Sequence, residues 1–234
     1  MKRALLFTSL VFLAACAGPR TAELPPEPSV KPGINTNFLD PEMNVDEWVA
    51  RFEGESREIF AERDALAAAV GLHPGDGIAD VGAGTGLFLD AFAAAVGSKG
   101  VVYAVDISPA FIDHLNEHVE EVGLANVRPH LCSEDSVELP PKSIDKAFIC
   151  DTYHHFEYPR HTMTSIRSAL GKNGEVVIVD FERIPGVSRE WVLDHVRAGK
   201  AEVIAEMESF GFEMVEEIEV PGLEENYVVR FRKR

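Results

Sequence analysis

Three glycines at alternate positions stand where a short apolar run gives way to a helical one. They are Gly82, Gly84 and Gly86, and an acidic residue, Asp80, precedes the first of them by two positions. Glycines so placed let the chain turn tightly and allow a ligand to approach the start of the following helix. A dinucleotide-binding fingerprint needs a glycine where Leu87 stands, so a hydride-transferring oxidoreductase is the weakest alternative.

Acidic residues stand near the ends of five apolar runs in the middle of the chain. Asp106 follows Gly86 by 20 residues, and a carboxylate at that separation can accept hydrogen bonds from both hydroxyls of a ribose. Because open α/β sheets bind ligands at the carboxyl ends of their parallel strands, the five acids predict one ligand-binding edge. They are Asp80, Asp106, Asp135, Asp151 and Asp180.

Two adjacent histidines follow the fourth of these runs and could act as a base. Either His154 or His155 could take a proton, with Asp151 orienting the ring. The alternative is that these histidines only pack against aromatic neighbours or begin a helix. Together with His161 they match no familiar spacing of metal ligands, so no metal site is predicted.

The elements that position these residues alternate between strand and helix. Such alternation predicts a doubly wound, mostly parallel, Rossmann-like α/β sheet with helices on both faces. Two runs around Pro221-Gly222 add a C-terminal antiparallel hairpin, which makes seven strands. The predicted strands are 77–81, 101–105, 127–132, 144–150, 175–181, 212–220 and 226–232, and the helices between them are 87–96, 109–122 and 160–170.

Two flanking segments are predicted to shape the ligand-binding edge. Residues 46–70 have helical spacing broken near Gly54, which predicts an N-terminal helical lid, with simple packing as the alternative. Residues 183–200 form an insertion that could border the same edge. The residues expected to face the ligand are Arg57, Phe60 and Arg63 in the first segment and Trp191, His195 and Arg197 in the second.

From about residue 55 to its end, the chain resembles class I S-adenosylmethionine-dependent methyltransferases, above all small-molecule enzymes of the ubiquinone/menaquinone type. The resemblance implies S-adenosylmethionine as cofactor and a thiol, amine, hydroxyl or quinone-like acceptor. It also implies that the glycine loop holds the methionine portion, Asp106 the ribose, and Asp135 with a neighbouring amide the adenine. The implied cofactor contacts are Asp80, Gly82, Gly84, Gly86, Asp106, Ile107, Asp135, Ser136 and Cys150.

The first 16 residues predict export and lipid attachment. Two cations precede an apolar run ending in Leu-Ala-Ala-Cys, which resembles the lipobox of bacterial lipoproteins and makes Cys16 the lipidated residue. A plain cleaved signal is the alternative. Prolines in residues 17–44 predict an extended tether, and 45–234 form the methyltransferase domain. The expected location is the periplasmic side of the envelope, the outer membrane before the inner, or the cytoplasm if the leader stays uncleaved.

Charge and cysteine content limit the partners. With 22 basic and 39 acidic residues the 234-residue chain carries a formal charge of −17, which excludes nucleic-acid binding through a basic face. Cys132 and Cys150 are predicted to be free thiols because they end strands that are not neighbours. Since S-adenosylmethionine is made in the cytoplasm, the alternative function is a non-catalytic envelope lipoprotein that uses the fold for binding.

Overall fold

A computed structural model of the chain describes residues 25–54 and 57–234. The predicted leader, the lipidation site Cys16 and the first part of the predicted tether lie outside these residues. Among the helices described, none is both long enough and apolar enough to cross a bilayer.

Seven strands form one sheet, as predicted. Their order is β3-β2-β1-β4-β5-β7-β6, with the first five strands of the chain parallel and β7 antiparallel to both of its neighbours. The first strand of the chain therefore lies near the middle of the sheet. The strands are β1 Gly77–Val81, β2 Val101–Asp106, β3 Val127–Leu131, β4 Ile144–Cys150, β5 Leu170–Phe181, β6 Phe212–Glu217 and β7 Asn226–Lys233.

Helices cover both faces of the sheet. The best-defined helix has Ser108 as its N-cap, Pro109 at its first position and a left-handed Gly123 (φ 79°) at its end, which are the expected start and stop signals. The helices are α1 Val45–Phe52, α2 Glu58–Ala61, α3 Arg63–Ala69, α4 Leu89–Val96, α5 Pro109–Val122, α6 Pro159–Ala169, α7 Glu190–His195 and α8 Lys200–Ser209.

Alternate residues of each central strand enter different cores. Ile78 and Phe148 pack with α3, α4 and α5 on one face, whereas Ala79 and Ile149 pack with α6 and α8 on the other. All of them are fully buried, as expected for a parallel sheet covered on both sides. Burial on both faces fixes the strands, and so fixes where their carboxyl ends present side chains.

The observed elements differ most from prediction at three places, and the other boundaries agree to within two residues. The N-terminal helical stretch is divided into α1, α2 and α3, and Gly54 lies in the first interruption. β5 begins at Leu170 instead of residue 175, because a register shift between Ile144 and Lys146 lets Leu170 pair with Ile144. β6 ends at Glu217, three residues earlier than predicted.

Candidate active site

A cavity of about 650 Å³ lies at the carboxyl ends of β1, β2 and β4. Its size is typical of a site for a small molecule or cofactor. The loops after β1 and β2 form one wall, and the loop after β4 forms the other together with the segments at 34–57 and 181–195. The ligand-binding edge predicted from the acidic residues is therefore the place where the structure has its main cavity.

The glycine loop follows β1 and forms a cradle. Gly84 has a left-handed backbone (φ 53°), and the nearest atom that a Cβ would meet there is the Gly82 carbonyl at 3.9 Å, so the main chain faces open space. Gly82 also lines the cavity, whereas Gly86 does not. A Cβ at Gly86 would lie 2.9 Å from Leu115, so this third glycine serves the packing of the loop on α5.

Asp106 ends β2 and is fixed by the glycine loop. Its Oδ2 accepts a hydrogen bond from the Gly84 amide and its Oδ1 accepts one from the Ser108 amide, both at 2.9 Å. Burial raises the pKa of Asp106 to about 6 despite these hydrogen bonds. The carboxylate is thus held in place with acceptor capacity remaining.

Asp80 is the most isolated acid of the cavity. Its Oδ2 is buried and has no hydrogen-bond partner among the described residues. Burial, with the charge of Asp106 second, raises the pKa of Asp80 to about 7. A buried carboxylate oxygen without a donor fits a ligand that brings a cation or a hydrogen-bond donor to this place.

The loop after β3 differs from prediction at Asp135. This side chain is half exposed and lies outside the cavity lining, where it accepts a hydrogen bond from Ser133 at 2.9 Å. Glu134 and Ser136 line the cavity instead, together with the predicted Ile107 after β2. The acid assigned to the adenine by resemblance is therefore not among the groups that the structure brings together.

Asp180, and not Asp151, orients the histidine ring. His154 is buried, and its Nδ1 lies 2.7 Å from Asp180 Oδ1, while its amide donates to the other carboxylate oxygen at 3.0 Å. This pairing assigns the proton to Nδ1 and leaves Nε2 with a free lone pair. The prediction of Asp151 as the partner was wrong, because Asp180 on β5 lies beside the turn that follows β4.

Asp151 has a different role in the same wall. It has a left-handed backbone (φ 48°), donors on its carboxylate from Arg57 and, at 2.7 Å, Asn226, and a place in the cavity lining. Burial raises its pKa to about 6, although the Arg57 charge opposes that rise. The strained backbone is therefore held by contacts from Arg57, just before α2, and from Asn226 at the start of β7.

Three histidines meet in this wall. His155 Nε2 lies 3.4 Å from His195 Nε2, and the ring of His154 is centred 4.4 Å from that of His155. Burial lowers the pKa of His155 to about 2, with the neighbouring His154 as the next cause. Burial likewise lowers the pKa of His195 to about 4. His161, the third histidine considered from sequence, lies apart and contacts the Pro25 carbonyl.

The cysteines line the cavity as protonated thiols. Cys132 and Cys150 are free, as predicted, and β1 and β2 separate the strands that precede or contain them. Burial raises the pKa of Cys132 to about 12 and raises that of Cys150 well above its usual range. Because the thiolate is the reactive form, neither residue is suited to act as a nucleophile.

The stretch predicted as a tether packs over the cavity in its described part. Asn35 is buried and donates to Glu134 and to the His155 carbonyl. Phe38 packs against Trp48 of α1, with ring centres 4.8 Å apart, and against His155 at 5.3 Å. Residues 25–44 thus differ from a free extended spacer, because apolar and amide side chains among the prolines find partners on the domain.

The two predicted flanks contribute in part. Arg57 reaches the cavity, but Phe60 does not line it and stacks with the guanidinium of Arg63 at 4.5 Å. In the insertion Trp191 and His195 line the cavity and stack on each other, since they lie four residues apart on α7. Arg197 points elsewhere and pairs with Glu206 of α8.

Sequence reasoning missed several of the aromatic residues that line the cavity. The aromatic lining residues are Phe38, Trp48, Phe52, Phe88, Phe111, Phe156, Phe181 and Trp191. The four-residue spacing of Trp191 and His195 was a usable signal for one face of a helix. No local pattern pointed to Asn35, which binds Glu134 and the His155 carbonyl, or to the contacts of Phe38 with Phe111 and His155.

The fold is that of Rossmann-like methyltransferase domains. It has a glycine loop after β1, an aspartate at the end of β2 and an antiparallel hairpin at the C-terminus. Residues 79–176 match the family described as "Methyltransferase domain". Among solved structures, an Aquifex aeolicus protein described as a SAM-dependent methyltransferase superposes with a TM-score of 0.72 at 23% identity, over 82% of this chain and all of that one. A Burkholderia thailandensis 1,6-didemethyltoxoflavin-N1-methyltransferase, solved with bound 1,6-didemethyltoxoflavin and S-adenosylhomocysteine, superposes with a TM-score of 0.60 at 21% identity. The superposition covers 81% of this chain and 83% of that one.

Curated relatives match shorter stretches. Aklanonic acid methyltransferase DauC of Streptomyces sp. strain C5 is 32% identical over 71 residues, 30% of this chain and 32% of that protein. The ubiquinone/menaquinone biosynthesis C-methyltransferase UbiE of Cupriavidus taiwanensis is 23% identical over 118 residues, 50% of this chain and 48% of that protein. The chain thus spans a third to a half of the curated relatives that it matches. These curated relatives are methyltransferases, and the family match lies in the middle of the chain.

Proposed function

We propose that this protein transfers a methyl group from S-adenosylmethionine to a small-molecule acceptor bound in the cavity. The observation that carries the proposal is the placement of the glycine cradle and Asp106 on one wall, with the histidine cluster on the facing wall of the same cavity. The family match and the structural relatives support S-adenosylmethionine as the cofactor. The non-catalytic alternative is not favoured by them.

The cofactor half is assigned from the groups that fit it. Asp106 would hold the ribose hydroxyls, because its carboxylate is fixed by amides and keeps acceptor capacity. The buried free oxygen of Asp80 fits the ammonium group of the methionine portion, which would lie along the Gly84 main chain. Ile107 and Ser136 lie where the adenine would bind. Acidic groups here also suit a ligand that carries a sulfonium charge.

The acceptor half favours a flat, ring-containing molecule. Phe38, Phe181 and Trp191 line it and offer ring faces and edges to an aromatic or quinone-like acceptor. The relatives named for aklanonic acid and for ubiquinone or menaquinone biosynthesis also support an acceptor of the ring type. We therefore place a hydroxylated ring first among the acceptors, ahead of simple thiols and amines.

Methyl transfer is an in-line displacement, so positioning of the acceptor supplies much of its rate. When bound, S-adenosylmethionine would supply the methyl group of its sulfonium, and the thioether S-adenosylhomocysteine would be the leaving group. The acceptor oxygen forms the new bond to carbon, and its proton passes to Nε2 of His154. Asp180 holds that ring through Nδ1 and stabilises the imidazolium. Asp151 holds Arg57 at the rim, as a positioning residue.

The test is a calorimetric titration of residues 25–234 with S-adenosylmethionine and S-adenosylhomocysteine. We expect micromolar binding of both, and a loss of about 100-fold in Asp106→Asn, because two hydrogen bonds to a charged group contribute about 3 kcal/mol together. The matched control is Asp135→Asn, which should bind as the unchanged protein does, because Asp135 lies outside the cavity lining. Absence of binding by the folded chain would overturn the proposal.

We also propose that the full chain is a lipoprotein attached through Cys16, with the domain on the periplasmic side. The basic start, the apolar run and the terminal Leu-Ala-Ala-Cys support this. Expression of the full chain and of Cys16→Ser in bacteria fed a labelled fatty acid should label the first and not the second. Unlabelled, cytosolic full-length protein would contradict the proposal without affecting the proposed methyl transfer.

A further inference from the structure

Three histidines from two distant stretches place ring nitrogens together in the cavity wall. His154 and His155 come from the turn after β4, and His195 is the last residue of α7, 40 residues further along the chain. One nitrogen from each residue lies within 4.8 Å of the others. Their convergence depends on the whole fold, and it joins the insertion at 183–200 to the centre of the sheet.

One of the three nitrogen–nitrogen distances equals that between two ligands of one small ion, and the other two are no longer than 4.8 Å. A tetrahedral zinc ion with bonds of about 2.0–2.1 Å to imidazole nitrogens sets those nitrogens about 3.3–3.4 Å apart. The distance between His155 Nε2 and His195 Nε2 is 3.4 Å. A single hydrogen bond between two of the rings would explain this pair but leaves the convergence of the third ring without a reason.

An acidic neighbour orients the third ring as it does in metal sites. Asp180 contacts His154 Nδ1 at 2.7 Å and is itself fixed by the amides of His154 and Phe181. Carboxylate–histidine pairs of this kind fix the tautomer and orientation of a metal-binding ring and raise its basicity. His154 Nε2 is then the atom free to bind.

His195 is held from the opposite side. Lys31 donates to the carbonyls of Asp194 and His195, which are the open carbonyls at the end of α7. Trp191 stacks on the His195 ring with centres 4.8 Å apart.

We propose that His154, His155 and His195 bind one divalent transition-metal ion of the zinc class, with an open coordination position facing the cavity. Three imidazoles favour zinc and its neighbours over magnesium or calcium, which prefer oxygen ligands. All three histidines line the cavity, so an oxygen or sulfur atom of a small molecule could take the fourth position. The inference goes beyond methyl transfer and does not depend on it.

If both proposals hold, the ion takes over the task assigned to His154. The ring nitrogen that would accept a proton then binds the ion, and the ion lowers the pKa of an acceptor hydroxyl bound to it. The acceptor proton would leave to solvent as the oxygen binds. The sequence-based expectation of no metal site considered His161 and not His195, and the fold brings the latter residue to the other two.

The test uses untagged residues 25–234 freed of metal with a chelator. Titration with Zn²⁺ should show one ion per chain, and Co²⁺ should give the intense visible absorption of a four-coordinate site. His195→Ala should weaken Zn²⁺ binding by more than the roughly 10- to 100-fold expected for Asp180→Asn, because it removes a ligand and not its orienting partner. The matched control, His73→Ala, removes an exposed histidine far from the cluster and should change nothing.

Two further measurements keep the result clear. His155→Gln provides a second ligand variant, and each variant is first checked for an unchanged far-ultraviolet spectrum and a cooperative unfolding transition. No stoichiometric binding by the unchanged protein, or equal binding by His195→Ala and His155→Gln, would overturn the metal site. Titration with S-adenosylmethionine runs in parallel, so its failure would count against the proposed methyl transfer and not against the ion.

Discussion

The wall of the cavity that carries the glycine loop is built from contiguous stretches of chain, whereas the facing wall gathers segments that lie far apart. In the first, Gly84 and Asp106 contact each other through a main-chain amide across neighbouring parallel strands. In the second, Asp180 orients His154, and Asn35 binds the His155 carbonyl across 120 residues. The first wall therefore depends on backbone conformation, and the second on side chains delivered by the whole fold.

The difference separates two tasks within one site. A wall of main-chain amides and a fixed carboxylate suits a ligand whose chemistry does not vary. A wall of aromatic and imidazole side chains on loops suits a ligand whose shape is set by those side chains. We expect substitutions in the first wall to act on cofactor binding and on stability, and substitutions in the second to act on the acceptor and on the ion.

The largest effect is expected at Asp80, where the first wall holds a buried acid. Its folded-state pKa of about 7 exceeds the ordinary 3.8, so the folded chain binds the proton more tightly than the unfolded chain does. The free energy of unfolding should therefore fall as the pH rises from about 4 to 7. Asp80→Asn should remove about 4 kcal/mol of that fall, since each pKa unit corresponds to about 1.4 kcal/mol.

The measurement is urea unfolding of both proteins, without cofactor, at intervals from pH 4 to 8. Asp135→Asn is the control, because it removes one acid from an exposed position on the neighbouring loop. Its unfolding profile should run parallel to that of the unchanged protein. If Asp80→Asn also ran parallel, Asp80 would not be the buried, partnerless acid that the first wall contains.

The same difference decides how much of the molecule the sequence could predict. The strands 77–81 and 144–150 and the helix 109–122 have the predicted bounds, since periodicity, Ser108, Pro109 and Gly123 are local signals. The glycine loop could be predicted equally well, because the residues that define it lie close together in the sequence. Gly82, Gly84 and Asp106 line the cavity as the sequence predicted, whereas Asp135 does not.

For the second wall, the sequence identified some of the residues but not the contacts between them. His154, Asp151 and Asp180 were all singled out, yet Asp151 was given the part that Asp180 takes. Which acid meets a ring depends on how β4 and β5 pair, and no spacing along the chain contains that information. For the same reason Phe38, within the stretch read as tether, could not be assigned to the cavity.

A smaller effect is expected where the two walls touch, between Gly82 and Thr152. A Cβ at Gly82 would overlap the Thr152 side chain, and the backbone there is left-handed (φ 76°). Gly82→Ala should lower the free energy of unfolding by about 2 kcal/mol, roughly half from the backbone and half from the overlap. Adding Thr152→Gly to the Gly82→Ala variant should restore the part of the stability that the overlap removes, about 1 kcal/mol.

Gly84→Ala is the matched comparison for the contact between Gly82 and Thr152. Its Cβ meets open space, so stability should fall by only about 1 kcal/mol for the left-handed backbone, while S-adenosylmethionine binding is lost from the cradle. Denaturant unfolding and calorimetry on the same samples separate the two effects. Equal loss of stability in Gly82→Ala and Gly84→Ala would show that the two walls do not meet at Thr152.

The smallest effect is expected at Glu175, which lies on β5 five residues before Asp180 and away from the cavity. Burial alone would raise its pKa, but hydrogen bonds and charge from Lys146, with Arg232 and Arg230, lower it to about 2. The sign is opposite to that of Asp80, because here the unfolded chain binds the proton more tightly. The stabilisation is complete above about pH 5 and is lost as the pH falls towards 2.

Between pH 5 and 3 the unchanged protein should lose about 1.5 kcal/mol through this group, and Glu175→Gln should lose less over that range while being less stable at pH 7. Glu190→Gln, on the exposed first turn of α7, is the control and should keep the acid-side loss. Because Asp80 limits stability above neutral pH and Glu175 limits it in acid, each variant should flatten one side of the same profile. Asp80 on β1 and Glu175 on β5 are far apart, so their effects on the free energy of unfolding should be independent. If Glu175→Gln flattened the neutral side of the pH profile instead of the acid side, that independence would be contradicted.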